Sequence, residues 1–109
     1  MAFDEGLAQI LRDDLADMDG IVEKTMFGGL RFMLNGNILC GVHRHGAMFR
    51  VGKHNEAQAP AVHGVVPMAF TGRRMGGLVD MAEEAFIDDT RRADCMALAL
   101  DFVSSLPAK

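Results

Sequence analysis

The chain has 109 residues and a formal net charge of −4; half of its residues are apolar and 24% are charged. That is enough for a single domain spanning residues 1–109 and too little for two. It leaves no apolar run of about 18 residues for a membrane span, and the acidic balance argues against a dominating basic face for nucleic acid.

The first fourteen residues, MAFDEGLAQILRDD, carry acids where an export signal would carry Lys or Arg ahead of an apolar core. The chain therefore reads as cytoplasmic, with Cys40 and Cys95 as reduced, buried thiols. Phe3, Leu7, Ile10, Leu11, Leu15 and Met18 recur at steps of three and four, which predicts an amphipathic helix capped by Asp4 and stopped by Gly20. Asp13, Asp14, Asp17 and Asp19 crowd its C-terminal half and read as a solvated face.

From Ile21 the period changes to two. IVEKTMF, LRFMLN, NILCGVHR and AMFRVG read as four strands of an antiparallel meander. Asn35-Gly36 is the strongest hairpin signal, because a type I′ turn needs positive φ at both central residues. That turn sets Leu34 against Asn37, Met33 against Ile38, Phe32 against Leu39 and Arg31 against Cys40. One face then carries Leu30, Phe32, Leu34 and Leu39; the other carries Met33, Ile38, Cys40 and Val42 beside Arg31. Both faces are partly apolar, so something is expected to cover the second: another segment, a subunit or a ligand.

KHNEAQA is a short helical candidate cut off by Pro60. VVPMAFTG and GGLVDMAEE read as two strands around a connection from Gly72 to Gly77. From Asp88 onward Cys95, Leu98, Ala99, Phe102, Val103 and Leu106 mark a C-terminal helix, capped by Asp88, Asp89 or Thr90. The order is helix, meander, short helix, hairpin, helix. This is an α+β two-layer domain with a curved antiparallel sheet of about five to six strands.

No complete catalytic constellation is present. MFGG is neither dinucleotide fingerprint nor P-loop, and a strand follows it where a phosphate cradle needs a helix N-terminus. Gly28-Gly29 fits a tight bend between strands better. Cys40, His43, His45, His54 and His63 lack metal-ligand spacing, since Cys40 and His43 alternate on one strand, so no metal and no cofactor is expected. Ser104 and Ser105 lie at a helix end with no nucleophile elbow around them, and Cys40 has no partner that would activate it. The basic residues Arg50, Lys53, Arg73 and Arg74, with Met75 beside them, form the candidate ligand or partner site. The TGRRMGG loop is read as presenting guanidinium groups to a carboxylate or phosphate.

EKTMFGGLRFMLNGNILCGV, then MFRVG, then PMAFTGRRMGGLV, and a final helix ending in SLPAK together resemble the N-terminal domain of the TfoX/Sxy family, over about Phe3 to Lys109. The signature residues are Met26, Phe27, Gly28 and Gly29, followed by Asn35 and Gly36; Phe70 to Met75 form the second marker. Pro60 and the extra glycine in RRMGG depart from the family pattern. The resemblance implies an α+β domain with a curved antiparallel sheet, similar to secretion-chaperone-like folds, and it supplies no catalytic residue. The family is named for regulators of natural competence that carry this domain ahead of a helical C-terminal one, so this chain reads as a stand-alone member. The expectation is a non-enzymatic regulatory or protein-interaction domain that pairs with itself as a homodimer or with another protein. Small-molecule or anion binding through the basic residues is the alternative, and weak nucleic-acid binding a further one.

Overall fold

The computed structural model describes residues 3–26, 29–59, 64–70 and 73–108; at positions 26, 67–70 and 73–75 the description is of the backbone alone. The chain runs α1 (Glu5–Asp14), β1 (Ile21–Met26), β2 (Gly29–Leu34), β3 (Asn37–His43), β4 (Gly46–Arg50), β5 (Val65–Phe70), β6 (Arg73–Ala82), α2 (Glu83–Phe86) and α3 (Asp89–Val103). The strands form one six-stranded antiparallel sheet in the order β1-β2-β3-β4-β6-β5. The expected α+β architecture is present.

Helix α1 starts where Asp4 takes the free backbone N–H groups of Gly6 and Leu7, at 2.7 and 3.4 Å. Those donors have no partner inside the helix, and the cap supplies one. Of the three residues that could cap α3, Asp88 does so, accepting from the Arg91 N–H at 3.0 Å. Leu7 and Leu11 of α1, Phe86 of α2 and Cys95, Ala99 and Val103 of α3 share one core cluster with Phe32, Val42, Phe49 and Met81 of the sheet. All three helices therefore cover the same side of the sheet.

The central hairpin turns on Asn35 (φ 51°) and Gly36 (φ 86°), as a type I′ turn requires. Leu34 pairs with Asn37 and Met33 with Ile38, but Phe32 then pairs with Cys40 and Arg31 with Gly41. Leu39 is an extra residue, a β-bulge, and the expected pairing of Phe32 with Leu39 and Arg31 with Cys40 is corrected accordingly. Alternation breaks at a bulge, so everything beyond it changes face. Cys40 and Val42 accordingly lie on the helix side with Leu39, and all three are fully buried. The second face is less apolar than the unbroken register implies.

Three further expectations are corrected. KHNEAQA makes successive turns, Asn55 N–H to Gly52 O and Glu56 N–H to Lys53 O among them, with no α-helix. The buried Asn55 side chain bonds to Leu98 O and Asp101, at 3.4 and 3.1 Å, and ties the segment to α3 in this turned form. The stretch from Arg73 to Gly77 belongs to strand β6 rather than to a loop. GGLVDMAEE leaves the sheet at Ala82, and its last residues open α2.

Two long-range ties close the domain. Asn37 Nδ2 donates to the carbonyl of Pro107 at 2.9 Å. Arg92, nearly buried, donates to Asp14 at 2.6 and 3.3 Å, to Asp89 at 2.9 Å and to Phe86 O at 3.0 Å, with its guanidinium over the Phe86 ring. Those hydrogen bonds, chiefly the one to Asp14, raise its pKa. Asp14, read from sequence as part of a solvated acidic face, instead fastens α1 to α3.

Candidate functional site

On the face away from the helices, one row of paired residues runs from edge to edge of the sheet. Lys24 of β1 pairs with Arg31 of β2, then follow Gly41 of β3, Met48 of β4, Asp80 of β6 and Val66 of β5. Beside it run Val22, Met33 and Ile38, also paired across strands. Arg31 retains only 8% of its exposure and Met48 only 2%, whereas Val22 keeps 62% and Val66 56%.

The Arg31 side chain lies flat on the sheet because two glycines leave room for it. A Cβ at Gly41 would stand 2.8 Å from Arg31 Cδ; one at Gly29 would stand 2.7 Å from Arg31 Nη1 and 2.5 Å from the Val42 carbonyl oxygen. Nη1 donates to that carbonyl at 3.5 Å, and no described residue forms an ion pair with Arg31. Burial lowers its pKa, with the thiol of Cys40 acting slightly in the opposite direction.

Farther along this face His43 Nε2 stands 2.6 Å from Asp80 Oδ1, and the His45 backbone N–H donates to His43 Nδ1 at 3.1 Å. A backbone donor at Nδ1 requires a lone pair there, which puts the imidazole proton on Nε2, facing the carboxylate. Both ring nitrogens are thus engaged within the fold, and the pair holds β3 to β6. The imidazole has no free lone pair with which to act as a general base.

The basic residues singled out from sequence are distributed differently. The Arg50 guanidinium sits over the Phe102 ring, 5.4 Å from its centroid. Lys53 is exposed and lies alongside Gly76, where a Cβ would meet its Cε at 3.1 Å. Acids stand among them: His54 lies 3.6 Å from the Asp101 carboxylate, and the Glu56 carboxylate accepts from the Gly77 N–H at 3.3 Å. Arg73 pairs through its backbone with Phe70, and Arg74 with Ala69; the side chains of Arg73, Arg74 and Met75 lie outside the description, as do Phe27, Gly28, Pro60, His63 and Gly72. Of the signature residues, Met26 pairs with Gly29 at the end of the β1–β2 ladder.

Burial raises the pKa of Cys40 well above the usual thiol value, with Asp14 reinforcing the shift and Arg31 opposing it. Burial, then Asp94, pushes Cys95 up to about 12. Neither sulfur is a thiolate at neutral pH. An open groove of about 540 Å³ runs along α3 beside Asp14 of α1, but the Asp14 and Asp89 carboxylates that line it are both bonded to Arg92. Among the described residues no three of His, Cys, Asp and Glu gather as metal ligands, and no helix is long and apolar enough to cross a membrane.

Sequence reading placed Arg31 on this face but did not single it out. The available signal was an arginine between two core residues, with a glycine two positions before it and another opposite it across the hairpin. The bulge hid the second glycine, because the unbroken register sets Cys40 opposite Arg31.

Residues 13–103 match the family model described as TfoX N-terminal domain. Comparison with curated proteins and with solved structures gave no match.

Proposed function

Since the chain belongs to the TfoX N-terminal domain family, we propose that it is a non-enzymatic regulatory domain that works by protein interaction through the open face of its sheet. A second copy of the chain is the first partner to test. The supporting observation is the apolar strip on that face: Val22 is 62% exposed on edge strand β1, with Met33 and Ile38 half-buried beside it on β2 and β3; on the opposite edge strand Val66, next to Asp80, is 56% exposed. Apolar surface left open on a stable domain marks interaction sites. The family name supplies natural competence as the regulatory setting, and DNA uptake by a strain lacking the gene is its direct test.

Light scattering across a concentration series tests the interaction reading. Dimer is expected to form as concentration rises and to dissociate when Ile38→Lys puts a charge in the strip. A wild-type chain that stays monomeric at its solubility limit overturns self-association.

A further inference from the structure

The described residues include four buried polar or charged side chains: Arg31, Asn37, Asn55 and Arg92. Three are satisfied: Asn37 by the Pro107 carbonyl, Asn55 by Leu98 O and Asp101, and Arg92 by Asp14, Asp89 and Phe86 O. Arg31 has a single long bond to a backbone oxygen. Burying a guanidinium without a counter-charge costs folding free energy. The nearest acid along its row, Asp80, sits three strands away, about 14 Å at the usual strand spacing, and is already held by His43.

The free donors of Arg31 are still within reach. No fully buried side-chain nitrogen or oxygen among the described residues lacks a partner, so Nε and Nη2, which have none, keep contact with solvent. Gly29 and Gly41 hold the side chain flat, and Met48 lies next to Gly41 in the same row. Met33 and Ile38 form the half-buried apolar ground alongside, and exposed Lys24 stands at the outer rim.

We propose that the open face of the sheet binds a small monocarboxylate with a short apolar stem, its carboxylate held by Arg31 and its stem laid on Met33 and Ile38. The planar fork of a guanidinium matches the two oxygens of a carboxylate. One buried cation balances one negative charge, whereas a phosphate dianion would carry a surplus into the same site. The Met33 side chain adapts to an irregular stem, and Lys24 adds attraction at the entrance. The stem lies on the same Met33 and Ile38 that self-association would cover, so the titration is run at a concentration where light scattering shows monomer.

The test is a titration of ¹⁵N-labelled protein with hexanoate, with hexanol and inorganic phosphate as comparisons, repeated on Arg31→Met and Arg50→Ala. Saturable shifts are expected at Arg31, Gly41 and Met48. Hexanol and phosphate are expected to bind at least about tenfold more weakly, and Arg31→Met to weaken hexanoate by a similar factor, about 1.4 kcal/mol. Arg50→Ala is expected to leave hexanoate binding unchanged. Equal binding of hexanoate and hexanol, shifts centred away from Arg31, or full binding by Arg31→Met would each overturn the site. Tighter binding of phosphate would overturn its ligand class. If Arg31→Met does not fold, the contrast between hexanoate and hexanol on the native chain decides.

Discussion

A hydrogen atom is all that positions 29 and 41 can carry. At Gly29 the obstacle to a methyl group is the Val42 carbonyl, 2.5 Å from where a Cβ would sit, and a backbone oxygen inside a ladder cannot swing aside. Gly29→Ala is therefore expected to cost about 1–3 kcal/mol, as overpacking does. Each kcal/mol lowers the melting midpoint of a domain of this size by roughly 4–8 °C. Thermal unfolding followed by circular dichroism checks this; an unchanged midpoint would mean that the strands part easily there. The second glycine of MFGG thus serves the approach of a neighbouring strand and the path of Arg31. Asn35-Gly36 could be read from sequence because the requirement for positive φ is local. The need for Gly29 could not, because the atoms that forbid a side chain come from another strand.

At the level of the element, the bulge at Leu39 decides which residues are core. It has no signature of its own, since Leu39 is as apolar as its neighbours and the alternation reads equally well without it. Lysine substitutions separate the two registers. In an unbroken ladder Ile38 and Val42 share a face and would tolerate lysine alike. In the bulged one Val42 is fully buried against the helices while Ile38 stays on the open face. Val42→Lys is expected to cost about 3 kcal/mol or more and Ile38→Lys about 1 kcal/mol or less, as measured by urea unfolding. Strand positions, the capped outer helices and the α+β class were all legible because they rest on periodicity and local capping. The turns after Gly52 and the start of α2 were not. Asn55 is committed to bonds with α3, far away in sequence, and α2 starts at Ala82 with no side-chain cap to announce it. The candidate site was less legible still: its basic residues could be listed, but the burial of Arg31 depends on a register that only the folded hairpin reveals.

Across the whole molecule, Arg92 joins parts that lie far apart in sequence. Its bonds reach α1 through Asp14, its own helix through Asp89 and the end of α2 through Phe86 O. Breaking a fully buried ion pair costs about 3–5 kcal/mol. Asp14 retains 31% of its side-chain exposure and Asp89 91%, so water would take up part of the freed charge. Arg92→Ala is expected to lose about 2 kcal/mol; urea unfolding monitored by circular dichroism checks it, and a loss below about 0.5 kcal/mol would mean that the pairs add nothing. The strand order governs how the chain reaches this state. β1 to β4 are joined by short connections and can zip in sequence, and β5 with β6 makes a second hairpin. Joining the two parts brings Gly46 against Ala82 and Arg50 against Leu78, the most distant pairing in the sheet. Closing that loop comes before most of its reward, so this step is expected to limit the folding rate. Until it occurs, β4 is a bare edge carrying Met48 and Phe49, and a newly made chain is at its most prone to stick to others in that interval.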